Sequence, residues 1–221
     1  MPQHGTALSP GQQKEFLETG LGALVLLSHD PNLDPTTANS WAKQGEAMLI
    51  VFRRGLLPSP ADAANGVVKT SVIVIGGGRN TDQIVAAARA LPEGRRPGYI
   101  NPAITQQNMP SGNGKRRPVV VEWFEFDHDP TTEEVRARCE ESGYGYPTIE
   151  DGLRFQEDHP DDQRERPHVV IPENPWCGAD GYPRALYLWG NDGERGLDLD
   201  YCSLDDGWIR PCVFARRRYL T

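Results

Sequence analysis

Apolar and polar positions alternate in blocks along the chain, and the blocks predict a mixed set of strands and helices. Val67 to Ile75 is a run rich in β-branched residues and predicts a strand. Val119 to Phe126 predicts a second, with Glu122 opposed in the pleat to Val121 and Trp123, so one face is partly wet. Four shorter strands are expected late in the chain: His168 to Ile171, Arg184 to Trp189, Gly196 to Tyr201 and Cys212 to Arg216, each set off by Gly, Asp or Asn turns. Glu46 to Arg53 reads as a buried strand, Ala23 to Leu27 as a strand or helix remnant, and 29–37 and 55–66 as connections.

Helix starts are marked by capping residues. Ser9-Pro10 opens a first helix, with proline at a position where its missing N–H costs nothing. Asn80 or Thr81 caps a helix that Pro92 stops. Asp129 begins another, with acids near its N-terminus and Gly143 as the residue that ends it. In Gly143-Tyr-Gly-Tyr-Pro-Thr-Ile-Glu-Asp151, Pro147 holds Tyr146 extended and Thr148 caps the next helix. The Thr148 hydroxyl is expected to accept from the Asp151 N–H, and Asp151 to reach back. Gly152 in the first turn costs about 1 kcal/mol of helix propensity.

The 221 residues suit one large or two small domains. An irregular stretch between Leu91 and Pro118 places the expected boundary at 112/113: an N-terminal α/β portion, 1–112, and a domain of short strands, 113–221. The fold class expected is α+β. A net charge of −8 argues against nucleic acid or an anionic membrane as partner, and Lys115-Arg116-Arg117 reads as a solvated linker. No apolar run reaches a membrane span, and no leader pattern opens the chain, so a cytoplasmic location is expected. Cys139, Cys177, Cys202 and Cys212 lack zinc-site spacing and are expected as buried free thiols.

The C-terminal half resembles bacterial C-type-lectin-like domains of the formylglycine-generating-enzyme-like and fibrobacter "major domain" kind. The matching pieces are Gly143-Tyr-Gly-Tyr-Pro-Thr-Ile-Glu150, Trp189-Gly-Asn-Asp-Gly193 and Cys212-Val-Phe-Ala-Arg-Arg217. Val119 to Arg217 is also similar to a group of bacterial proteins without an assigned activity. The resemblance implies a C-type-lectin-like C-terminal domain and carries over no catalytic residue.

Several motifs invite chemistry. Gly76-Gly77-Gly78 before a helix could cradle a phosphate, though neither dinucleotide nor P-loop spacing is met; a tight turn is the simpler reading. Asp127-His128-Asp129 and His168 are candidate acid–base groups for a hydrolase or protein-modifying enzyme, with no nucleophile-elbow motif beside them. Asn191, Asp192, Asp205 and Asp206, with Trp189 and Trp208 as stacking rings, form a candidate ligand rim on the late loops, and Asp198 and Asp200 share one strand face. The function expected is non-catalytic recognition or assembly, with a protein or small ligand as partner, homo-oligomers included, and no cofactor or metal. The alternatives are the hydrolase and nucleotide binding at Gly76 to Thr81.

Overall fold

The structure, a computed structural model, describes residues 64–191 and 193–218. The expected helix at Ser9, the segments 23–27 and 29–37, the strand Glu46 to Arg53 and nearly all of the 55–66 connection lie outside them.

The first described strand is β1 (Val67–Ile75), followed by α1 (Thr81–Arg89), β2 (Tyr99–Ile100), β3 (Arg117–Phe124), α2 (Thr132–Cys139), β4 (Tyr144–Gly145) and α3 (Ile149–Asp158). Then come α4 (Asp162–Glu165), β5 (His168–Val170), β6 (Trp176–Cys177), β7 (Pro183–Gly190), β8 (Arg195–Tyr201) and β9 (Val213–Arg218). Helices and strands are interleaved, and the mixed α and β class is what the structure has. All strands join one nine-stranded sheet in the order β1-β3-β9-β5-β7-β8-β2, with β4 also on β9 and β6 on β7. Most pairs are antiparallel; β5–β9 and β2–β8 are parallel. The ladder between β1 and β3 crosses the expected 112/113 boundary, from Val67 opposite Phe124 to Ile75 opposite Arg117.

Period-two alternation sends side chains to two separate cores. On one face Ile73, Val121, Trp123, Leu188 and Val213 meet Ile84 and Val85 of α1 and Leu153 and Phe155 of α3. On the other, Phe124, Val169, Ala185 and Phe214 meet Val135 of α2 and Cys202, Trp208 and Cys212 of the β8–β9 connection. Helices thus cover both faces of the sheet.

The caps explain the helix starts. Asn80 Oδ1 accepts from the Gln83 N–H at 2.9 Å, and Gln83 returns the bond at 3.0 Å. For α2 the cap is Thr131, not Asp129: Glu134 and Thr131 bond reciprocally. Asp129 instead accepts from the Arg210 N–H at 3.0 Å. The helix ends at Cys139 with Glu140 as its cap, so Gly143 (φ +87°) turns the chain three residues further on. In α3 the reach-back is present, Thr148 N–H donating to Asp151 Oδ2 at 2.7 Å. Arg217 of β9 grips Asp151 with two nitrogens at 2.7 and 2.8 Å and donates to the Thr148 hydroxyl at 3.0 Å, tying this helix start to the sheet.

Cys139, Cys202 and Cys212 are buried free thiols as expected; Cys177 is free and exposed. Among the described residues no helix is long and apolar enough to cross a membrane.

Candidate functional site

The expected late-loop rim is divided by β8. Trp189 and Asn191 stand at the start of that strand, whereas Asp205, Asp206 and Trp208 follow its end, and seven extended residues span about 23 Å. Trp189 is half-buried, its indole lying over Gly196, the residue opposite it on β8. Asn191 is a turn residue whose Oδ1 accepts from Gly193 and Glu194 N–H groups, both at 2.8 Å. Asp192 lies outside the described residues. Asp206 closes a turn on Ser203, and its carbonyl accepts from Thr132 at the start of α2. Asp205 is exposed beside it. Trp208 is core: 5 % exposed, its Nε1 donating to the Thr132 hydroxyl at 2.9 Å, its ring edge-on to Phe214.

The histidines divide as sharply. His168 lies between Trp123 and Phe155, and burial pushes its pKa down to about 4. Its Nδ1 faces the Arg166 carbonyl at 2.9 Å, so that nitrogen carries the proton of a neutral ring. His128 is exposed with both nitrogens on carboxylates, Asp127 at 2.9 Å and Glu134 at 3.1 Å, and these bonds raise its pKa. Burial raises the thiols of Cys139 and Cys202 to about 12 and that of Cys212 to about 11, which keeps them protonated. Among the described residues no three His, Cys, Asp or Glu side chains are grouped so as to hold a metal ion.

The triple glycine is a left-handed turn whose amides are already taken. Gly76 N–H donates to Glu150 Oε1 at 2.9 Å, and Glu150 Oε2 accepts from Gly112 at 3.0 Å. Gly77 and Gly78 donate to the carbonyls of Gly114 and Gly112. The chain's own carboxylate stands where an outside anion would have to compete.

A different place has the shape of a ligand site. A cleft of about 700 Å³ opens between the end of α2, the Tyr144–Ile149 turn, the 172–176 loop and residues 108–110. Met109 and Ile149 give it an apolar floor and Trp176 a half-buried ring; Asn174, Glu173 and Thr148 are exposed at the rim. Arg136 braces the walls: it donates to the carbonyls of Pro172 and Glu173 at 3.4 and 3.2 Å, and its guanidinium lies 4.7 Å from the Tyr146 ring. The Tyr146 hydroxyl donates to Glu140, and burial with that bond raises its pKa to about 12. Arg217 at the cleft's edge is neutralised by Asp151. The cleft therefore offers a mixed surface, with an apolar floor and one indole beside amide, hydroxyl and carboxylate groups in at least equal measure.

Trp176 and Asn174 carried no mark in the sequence as site residues. The one signal was an aromatic between prolines and turn residues in Pro172-Glu-Asn-Pro-Trp176, close to the motif that opens α3. The sequence matches no protein-family model and no curated relative, and the fold matches no solved structure.

Proposed function

We propose that this protein is a non-catalytic recognition or assembly module that seats a ligand or partner segment in the cleft beside Trp176. The observation that carries the reading is the cleft itself: its volume is that of a ligand site, and an apolar floor and one indole lie among polar groups able to orient a ligand. Support also comes from four of the groups that could have done chemistry. The three buried thiols stay protonated, and the His168 ring is enclosed by aromatic core. The proposal extends to a C-type-lectin-like scaffold. What supports this is the pairing of the Tyr144-Gly145 turn with the closing strand β9, which draws the two ends of the resembling segment together.

The test is a titration of isotope-labelled protein with peptide and small-molecule libraries, read by NMR at the tryptophan indoles. The Trp176 indole is expected to move saturably with a binder while the buried Trp123 and Trp208 indoles stay fixed. Trp176→Ala is expected to keep the fold and lose the binder. Binding that survives this substitution, or shifts that avoid the cleft, would falsify the assignment.

A further inference from the structure

A second groove, of about 420 Å³, lies on the β7–β8 hairpin and is lined by Tyr187, Trp189, Asp198, Leu199 and Asp200. Its composition follows from register. Trp189 is opposite Gly196, Tyr187 opposite Asp198 and Ala185 opposite Asp200, and directly opposed residues share a face. One sheet face thus presents two aromatic rings on β7 and two carboxylates on β8. Gly196 is required here, because a Cβ would sit 2.3 Å from the Trp189 ring. The indole therefore lies down across β8 and walls the groove beside the acids.

Each carboxylate is oriented by the backbone. Asp198 Oδ1 accepts from the Leu199 N–H and from the Asn101 side chain, both at 2.8 Å. Asp200 Oδ1 accepts from the Tyr201 N–H at 2.8 Å. Among the described residues no hydrogen bond is made to the second oxygen of either. No Lys or Arg among the described residues pairs with exposed Asp200 or with half-buried Asp198, whereas buried Asp151 and Glu122 each hold an arginine. Two like charges two residues apart on one strand face are about 7 Å from each other, and they repel unless a cation lies between or along them. Aromatic faces attract the same kind of charge.

We propose that this face binds an organic cation of the alkylammonium or guanidinium type. The charged ends meet the free oxygens of Asp198 and Asp200, and the methylene stem lies against Tyr187 and Trp189. An extended diamine matches the spacing of the two acids along the strand. The same chemistry comes from two sources, a free polyamine or a Lys or Arg side chain of a partner protein.

The experiment titrates the full chain with putrescine, with spermidine, and with end-blocked peptides carrying one Lys or Arg; butanediol and sodium chloride at matched ionic strength are controls. The Trp189 indole and the amides of residues 198–201 are expected to shift saturably with the cations and with neither control, leaving Trp176 unmoved. The last point separates this site from the proposed cleft. Affinity is expected to fall about tenfold in Asp198→Asn and in Asp200→Asn, as one charge-assisted bond is lost in each. Asp200 is exposed, so its variant reports binding without a folding penalty. Tighter binding of the polyamines or of the peptides names the source. Shifts reproduced by sodium chloride, or affinity unchanged in both variants, would overturn the site.

Discussion

Gly152 stands inside α3 where its missing side chain lets the helix approach the sheet. A Cβ there would lie 2.7 Å from both Leu186 Cδ2 and Val170 Cγ2. Helix propensity alone favours alanine by about 1 kcal/mol. Overpacking a core costs about 1–3 kcal/mol, and here the two neighbours are themselves buried. Gly152→Ala is therefore expected to destabilise by up to about 2 kcal/mol net, measured by chemical denaturation; a gain in stability would show that the sheet yields. His168 makes a second residue-level prediction. Its folded pKa of about 4 lies below the ordinary 6.5, so below that ordinary value the unfolded chain binds a proton that the native one refuses. The stability it contributes is complete above pH 6.5 and is lost as pH falls toward 4. The loss is about 3 kcal/mol. His168→Gln is expected to flatten that acid limb in denaturation curves taken from pH 7 to 4.

At the scale of elements, Glu150 shows how a helix residue can serve a turn. Its two oxygens hold Gly76 and Gly112, so the start of α3 fastens both the β1–α1 turn and the segment before β3. Glu150→Ala strips the acceptor from two buried amides and is expected to cost about 2–4 kcal/mol. The same change frees the Gly76 amide, so any phosphate-induced thermal shift is expected only in the variant. A phosphate shift in the unaltered protein would contradict the internal-anion account. The longer elements were legible in sequence because period and caps are local properties. β1 has the expected limits, β7, β8 and β9 shift by a residue or two, and Asn80 and Thr148 stand at their helix starts. The two-residue strands β2, β4 and β6 were not legible, since two residues show no period. Asp129 and Thr131 were both chemically able to cap α2, and the distant Arg210 decided between them. The cleft escaped for a similar reason: it joins segments near 108, 144 and 174, and only tertiary pairing brings them together. Trp208 and Trp189 looked equivalent as letters, but the partner Thr132 puts one in the core while Gly196 lays the other on a strand.

At the scale of the molecule, the two cores are linked through β3 and β9, which carry a buried ion cluster. Glu122, fully buried, receives Arg216 at 3.2 Å and Arg218 at 2.8 Å, and the Arg216 guanidinium lies 3.5 Å from the Tyr144 ring. Arg216 also donates to the exposed Glu141 at 2.7 Å, so removing Glu122 leaves a buried guanidinium with one outer carboxylate in place of two. Glu122→Ala is expected to cost about 3–5 kcal/mol, and Glu122→Leu with Arg216→Met to recover a large part of it. A double variant no better than the single one, by urea denaturation, would show that Glu141 satisfies Arg216 once Glu122 is gone. The position of β9 has a consequence in time. It is the last described strand to leave the ribosome, yet it lies between β3 and β5. Until it arrives, the two halves of the sheet have no hydrogen-bonded bridge along this path, and each shows an open edge. Closure is thus a late, long-range event of the kind that folds slowly and invites aggregation. A nascent chain stalled before Val213 should be captured by chaperones and cut readily by protease, while one released past Arg218 should become resistant.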